Sequence, residues 1–187
     1  MKDTIIIVEG AQGAGKTTVT NYLREKIVST DLYRLTGIKD KTEIGHQKIK
    51  RKYDKLLEYM ASCEDVNLVF DRTFFSNEVY ARLGYFEYSF SDTFEELLQK
   101  LDNLNFDIYL VILYLENESE FEERLKRDKP AYQKFEAQSS IDQQREYFKL
   151  AEEVKNKTKN IKIVKINNET WEETEKQLKD NFSNLMK

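Results

Sequence analysis

The sequence predicts an α/β protein in three layers: a five-stranded parallel sheet with helices on both faces. Three observations predict it. Short β-branched apolar runs alternate along the 187 residues with longer stretches of helical periodicity. The run Thr4-Ile5-Ile6-Ile7-Val8 and a later one at 107–115 are apolar at consecutive positions, as strands covered on both faces are. Between the first run and the first helix, Gly10-Ala11-Gln12-Gly13-Ala14-Gly15-Lys16-Thr17 matches G-x-x-x-x-G-K-[ST], the phosphate-binding P-loop pattern, at every position.

The elements follow in order. Residues 16–27 place Val19, Leu23 and Ile27 on one helical face. Residues 31–36 form a short second strand, and Gly37 opens a polar turn. Residues 42–62 read as a long helix with Ile44, Ile49, Leu56, Leu57 and Met60 as its apolar positions. Residues 66–70 are the third strand, closed by Asp71-Arg72, and the aromatic-rich stretch 73–90 supplies a helix and a loop. Asp92 with Glu95, and Thr93 with Glu96, have the spacing of a helix start, for a helix running to about residue 104. Residues 107–115 are the most apolar strand and hence central. Asn117 with Glu120 caps a helix carrying Phe121, Arg124, Leu125 and Arg127. The only proline, Pro130, falls in the break before a helix at 140–156. Residues 161–166 are the fifth strand, and Thr170 with Glu173 opens the last helix. No repeat, linker or low-complexity tract divides the chain, so residues 1–187 are expected to form one domain.

Composition narrows the function classes. A net charge of −4 argues against general affinity for nucleic acid or anionic membrane, so any phosphate site must be a local cationic pocket. The single cysteine, Cys63, forms no internal disulfide and fits a reducing compartment. No apolar run approaches the roughly 20 residues of a membrane span. The chain enters its first strand directly, without room for a signal peptide, and a cytoplasmic location is expected.

The glycine turn carries the chemistry. Gly10, Gly13 and Gly15 take backbone angles that a side chain forbids, so consecutive N–H groups of the loop, through Gln12 and Ala14, point inward. With the positive end of the following helix and Thr18 they form a cradle for phosphate. Lys16 reaches the β- and γ-phosphates of a nucleoside triphosphate, and the Thr17 hydroxyl suits Mg²⁺. A nucleoside triphosphate and Mg²⁺ are therefore the expected cofactors. A GTPase reading lacks its base-reading Asn-Lys-x-Asp, because the only Asn-Lys is Asn156-Lys157-Thr158-Lys159. The third strand ends in an acid beside a cation, Asp71-Arg72, which suits a second anion held opposite the triphosphate.

The sequence resembles the thymidylate kinases, within the wider family of nucleoside and nucleoside-monophosphate kinases. The stretch from Val8 to Thr18 resembles that family's P-loop motif, and Asp71-Arg72-Thr73-Phe74-Phe75-Ser76-Asn77-Glu78-Val79-Tyr80 resembles its Asp-Arg-x-x-x-Ser-x-x-Ala-Tyr segment. Tyr33-Arg34-Leu35-Thr36-Gly37 stands where the family has Arg-Glu-Pro-Gly. Residues 124–136 resemble its lid, and Tyr147, Leu150 and Ala151 the helix after it. Three departures stand out. Gln12 replaces a usual acid, Gln133-Lys134-Phe135-Glu136 replaces Asp-Arg-x-Glu, and the region 38–50 is short and holds no phenylalanine or tyrosine to stack on a base. His46 is the candidate there.

The resemblance implies a P-loop kinase fold with a lid over roughly residues 124–137. It implies transfer of the γ-phosphoryl of MgATP to a nucleoside monophosphate, with dTMP or another deoxynucleotide first in line. Catalytic candidates are Lys16, Asp71, Arg72, Arg124 and Arg127. The last two share a helix face and are suited to charge on the migrating group. Asp71 joins Thr17 as a metal candidate. The acceptor candidates are Glu9, Arg34, Arg51, Arg72, Phe75, Ser76, Tyr80 and Glu136. The aromatic cluster at 85–90 either covers the acceptor or forms a homodimer face. A deoxynucleoside kinase acting on a 5′-hydroxyl, and a P-loop NTPase coupled to a protein partner, are the alternatives.

Overall fold

Period-two alternation along the first strand sets the layers of the molecule. β1 (Thr4–Gly10) is buried along its whole length. Ile5 and Ile7 join the core on one face of the sheet, and Ile6 and Val8 the core on the other. The computed structural model describes residues 2–128 and 136–187. With β2 (Thr30–Arg34), β3 (Asn67–Asp71), β4 (Asp107–Tyr114) and β5 (Ile161–Asn167), β1 forms a five-stranded sheet in the order β2-β3-β1-β4-β5, every pair parallel.

The helices of the described residues are α1 (Lys16–Lys26), α2 (Glu43–Ser62), α3 (Phe74–Arg82), α4 (Ser91–Asp102), α5 (Glu120–Asp128), α6 (Ala137–Lys157) and α7 (Trp171–Phe182). Apolar residues of α2, α3, α4 and α6 pack on the Ile5 face, and those of α1, α5 and α7 on the Ile6 face. The three-layer arrangement expected from the alternating pattern is the one that forms. No helix among the described residues is long and apolar enough to cross a membrane. The middle of the expected lid, residues 129–135 with Pro130, Gln133, Lys134 and Phe135, lies outside the described residues.

Three local expectations are corrected. β2 ends at Arg34, not at residue 36, because its partner strand ends at Asp71 and leaves Leu35 and Thr36 nothing to pair with. α4 starts at Ser91 without a side-chain cap. The Phe90 carbonyl already accepts from Phe94 N–H at 2.8 Å, and the Thr93 hydroxyl is bonded to His46 Nε2 at 2.8 Å. Thr170, by contrast, caps α7 as expected, accepting from Glu173 N–H. On α2 the residues facing the sheet are Ile49, Tyr53, Leu57 and Met60, whereas Ile44 is 65% exposed.

Gly45 explains how the first turn of α2 sits. A Cβ there would lie 1.9 Å from the carbonyl oxygen of Asp40, so the preceding loop touches the bare helix backbone. Gly45→Ala is therefore expected to destabilise the protein by about 1–3 kcal/mol, as overpacking does. For a chain this long that lowers Tm by several degrees in scanning calorimetry. An unchanged Tm would mean that the loop moves aside without penalty.

Candidate active site

The carboxyl ends of β1, β2 and β3 form one row. Val8 pairs with Asp71, and Asp71 with Arg34, so residues far apart in sequence meet at one edge of the sheet. Ligands of open α/β sheets bind at such carboxyl ends. The P-loop leaves β1 here and enters α1 through Gly15, whose φ of 92° is left-handed. A Cβ on Gly15 would sit 2.2 Å from Asn168 Nδ2, so only glycine fits beneath the turn after β5. A cleft of about 400 Å³ opens over this row, lined by Gly13, Gly15, Lys16, Thr17, Thr18, Arg34, Leu35, Asp71 and Arg72.

Lys16 is buried, and its ammonium donates to the carbonyls of Gly10 (2.8 Å) and Ala11 (2.9 Å). Burial, helped by the charge of Arg72, lowers its pKa to about 7. Across the cleft Asp71 Oδ2 accepts from Thr17 Oγ1 and from Arg34 Nε, both at 3.3 Å. Arg34 also donates to Thr20 Oγ1 at 3.4 Å and to Asn21 Oδ1. Arg72 follows Asp71 with φ 71°, a left-handed conformation that is strained for any residue with a side chain. Its half-buried guanidinium has no hydrogen-bond or ion-pair partner among the described residues. A cation held in a strained conformation, lining a cleft and without an ion pair among the described residues, is chemically able to take an incoming anion.

Beneath the cleft lies a buried polar network. Glu9, fully buried, accepts from Thr73 N–H (2.7 Å), Ser76 Oγ (2.6 Å) and Tyr147 OH (3.3 Å). Burial raises its pKa, against these hydrogen bonds and the charges of Arg72 and Lys16. Glu9 and Ser76 therefore lie under the cleft floor rather than on its surface. Phe75 is corrected outright: it is 0% exposed, packed against Phe74 and Phe94, and belongs to the core. Tyr80 is half-buried against Tyr85, near enough to Arg72 for the two to interact electrostatically.

Arg51 is a second correction. It follows the inward-facing Ile49 by two residues, which turns it to the outer face of α2, exposed beside Asp54, Lys55 and Leu104. The next residue, Lys52, instead reaches the Thr36 carbonyl at 2.5 Å. Arg124 lies against the P-loop. Its guanidinium donates to the carbonyls of Gly13, Asn168 and Glu169, tying α5 to the loop and to the turn after β5. Arg127 is exposed on the last turn of α5, and Glu136 is the exposed N-cap of α6. His46 stacks on Tyr88 at 4.5 Å, with Phe86 behind, so the aromatic stretch folds back on α2.

Sequence reasoning missed the braces that hold the P-loop. Gln143 Oε1 accepts from Gln12 N–H (3.0 Å), Ser140 Oγ donates to Gln12 O (2.8 Å), and Asn168 Nδ2 donates to Ala14 O (2.6 Å). Gln144 bonds both backbone groups of Leu115. The signal was present along α6: Ser140, Gln143 and Gln144 are polar residues on the buried face that continues through Tyr147, Leu150 and Val154. Polar residues on a buried face have partners to find.

Thr17 Oγ1 and Asp71 Oδ2 converge on one point and are hard oxygen donors. That set fits Mg²⁺, which takes one or two carboxylates together with substrate phosphates. No cluster of three or more potential ligating residues occurs among the described residues, and a magnesium site of this kind needs none.

No protein-family model matches the sequence, and no curated protein matches it. Solved structures do match. Thymidylate kinase from Candida albicans superposes with a TM-score of 0.69 at 16% identity, over 98% of this chain and 92% of that one. Deoxyadenosine kinase from M. mycoides with bound dCTP matches with a TM-score of 0.59 at 16% identity, over 97% and 98%. Polyphosphate kinase 2 from Arthrobacter aurescens matches with a TM-score of 0.60 at 14% identity, over 88% of this chain and 60% of that one. The chain has the P-loop kinase fold.

Proposed function

We propose that the protein is a nucleoside-monophosphate kinase, a single domain moving the γ-phosphoryl of MgATP to a (deoxy)nucleoside monophosphate, with dTMP the first acceptor to try. The observation that carries this is Arg72. A strained cation without an ion pair among the described residues, facing the same cleft as Lys16, gives an acceptor phosphate a site opposite the triphosphate. The similarity in fold to nucleotide kinases supports the same reading.

In this mechanism the P-loop N–H groups and Lys16 hold the donor phosphates, and Arg72 orients the acceptor phosphate for in-line attack. Thr17 and Asp71 hold Mg²⁺, which when bound neutralises charge on the phosphate oxygens. Transfer then rests on positioning and charge stabilisation, because the attacking phosphate oxygen is already an anion. A nucleoside hydroxyl needs a base. Asp71, the one carboxylate lining the cleft among the described residues, is engaged by Thr17 and Arg34, which counts against a nucleoside acceptor. A coupled assay comparing dTMP, other monophosphates and their nucleosides at equal concentration tests this. Rapid use of nucleosides with monophosphates refused would sink it, and acceptor-independent ATP turnover would point instead to a partner-coupled NTPase.

Lys16 adds a pH signature. Its pKa is about 7 in the protein alone, and bound phosphate anions raise it again. Above pH 7 the complex therefore binds more protons than the free protein, and ATP affinity falls as pH rises. The fall is at most about tenfold per pH unit, for one linked proton. Calorimetry at pH 8 in buffers of different ionisation enthalpy is expected to show uptake of up to one proton. Uptake that survives in Lys16→Ala would assign the proton to another group.

A further inference from the structure

The metal donors and the acceptor-side cation share one atom. Asp71 Oδ2 accepts from Thr17 Oγ1 and from Arg34 Nε at the same distance, 3.3 Å. No other hydrogen bond or ion pair holds the Asp71 carboxylate among the described residues. Oδ2 is the Asp71 oxygen that faces Thr17 Oγ1, so a divalent ion bridging Thr17 and Asp71 approaches the oxygen where the Arg34 guanidinium already sits. Two cations on one carboxylate oxygen repel each other, and the divalent one holds the oxygen more strongly.

We propose that Arg34 and the divalent ion compete for Asp71 Oδ2, so that loading the metal–triphosphate releases Arg34 towards the acceptor's phosphate. Arg34 is built to move. Its side chain is 45% exposed, so leaving Asp71 unpacks no core. Its remaining contacts, Thr20 Oγ1 and Asn21 Oδ1, both hold Nη2 and tether one end of the guanidinium to α1. Nη1 has no partner among the described residues, and release from Asp71 frees Nε on another edge of the guanidinium. Each of these nitrogens then offers a charge-assisted hydrogen bond to a phosphate oxygen. The strand register keeps Arg34 level with Asp71, one residue before Arg72, so the freed guanidinium stays on the cleft that Arg72 lines.

The consequence is an order of events. Without metal, Asp71 neutralises Arg34 and weakens its pull on an acceptor. With metal and triphosphate in place, the acceptor site gains a second cation. Linkage makes the effect reciprocal, so a bound acceptor tightens the metal by the same factor. The acceptor half of the inference rests on the proposed kinase reading; the competition at Asp71 does not.

The two halves are tested separately. Mn²⁺ is titrated into the protein with a non-hydrolysable ATP analogue and followed by electron paramagnetic resonance. Arg34→Gln is expected to bind Mn²⁺ about tenfold more tightly than the wild type, because the competitor is gone, and Arg34→Lys to stay close to the wild type. In parallel, the Arg34 Nε–H resonance is expected to shift when Mg²⁺ is added to the protein with the analogue. Equal or weaker Mn²⁺ binding by a folded Arg34→Gln variant, or a resonance indifferent to Mg²⁺, would overturn the competition. Should the glutamine variant misfold, the resonance of the wild type decides alone. Adding dTMP is then expected to tighten Mn²⁺ about tenfold in the wild type and not in Arg34→Gln. If dTMP binds yet leaves Mn²⁺ affinity unchanged in the wild type, the release of Arg34 to the acceptor is wrong. If no monophosphate binds under any condition, the kinase reading fails while the Mn²⁺ result still decides the competition.

Discussion

Lys16→Ala is expected to lower kcat/KM for ATP by at least a hundred- to a thousandfold while leaving the fold in place. The size follows from what the ammonium does. It is the buried cation of the P-loop, and it now donates to the Gly10 and Ala11 carbonyls, within one side-chain swing of the cleft. One preorganised donor aimed at charge that develops in a transition state is worth about 10²–10³ in rate, and a cation bridging two phosphates at least as much. Stability responds differently. Burial already lowers the pKa of Lys16 to about 7, so the folded chain carries that charge at a disadvantage. Removing it relieves desolvation and leaves two carbonyls short of a donor, and these effects oppose each other. Thermal unfolding is expected to move by only a few degrees. Near-wild-type turnover in Lys16→Ala would remove the P-loop from the chemistry altogether.

Arg72→Gly is expected to separate function from stability. A non-glycine residue in the left-handed region costs roughly 1–2 kcal/mol, and glycine relieves this while adding about 0.5–1 kcal/mol of unfolded-chain entropy. The guanidinium is also half-buried without a hydrogen-bond partner among the described residues, so its loss breaks no hydrogen bond, but it removes a charge that favours the buried Glu9 carboxylate. The two effects oppose each other, and the variant is expected to stay within about 1 kcal/mol of the wild type in stability. Acceptor use should fall sharply. A charge-assisted contact is worth about 1.5–3 kcal/mol, or roughly ten- to a hundredfold in kcat/KM for the acceptor, with ATP binding little changed. Arg72→Ala keeps the strain and is expected to lose the same activity without that relief. Full acceptor use by Arg72→Gly would move the second anion elsewhere. A loss of several kcal/mol in stability would make Arg72 a structural residue.

Much of this site is local in sequence and was legible there. The glycine turn, Lys16, Thr17 and the strand before them lie within fourteen residues, and the strand–turn–helix context that gives them meaning is contiguous. Asp71-Arg72 was legible for a similar reason, as an acid and a cation at the end of an apolar run. Arg51 was misplaced because a run of basic residues on a helix does not reveal its rotation. The inward positions Ile49, Tyr53 and Leu57 do, and they turn Lys52 rather than Arg51 towards Thr36. Phe75 and Ser76 follow Asp71 closely enough to suggest the cleft, yet α3 directs both into the interior, one into the core and the other onto Glu9.

By itself the sequence determined the order of strands and helices, the parallel sheet and the phosphate loop. These depend on the periodicity of side chains along the backbone and on where glycine is required, both properties of neighbouring residues. Only the tertiary structure decided what meets across the sheet. Gln143 reaches Gln12 over 131 residues, and Asn168 reaches Ala14 over 154. Arg34 and Thr17 arrive at one oxygen of Asp71 from two other elements. Such contacts are fixed by strand order and register, and by how far each helix is rotated against the sheet. These quantities are set when apolar surfaces from distant parts of the chain bury each other, and no local pattern encodes them.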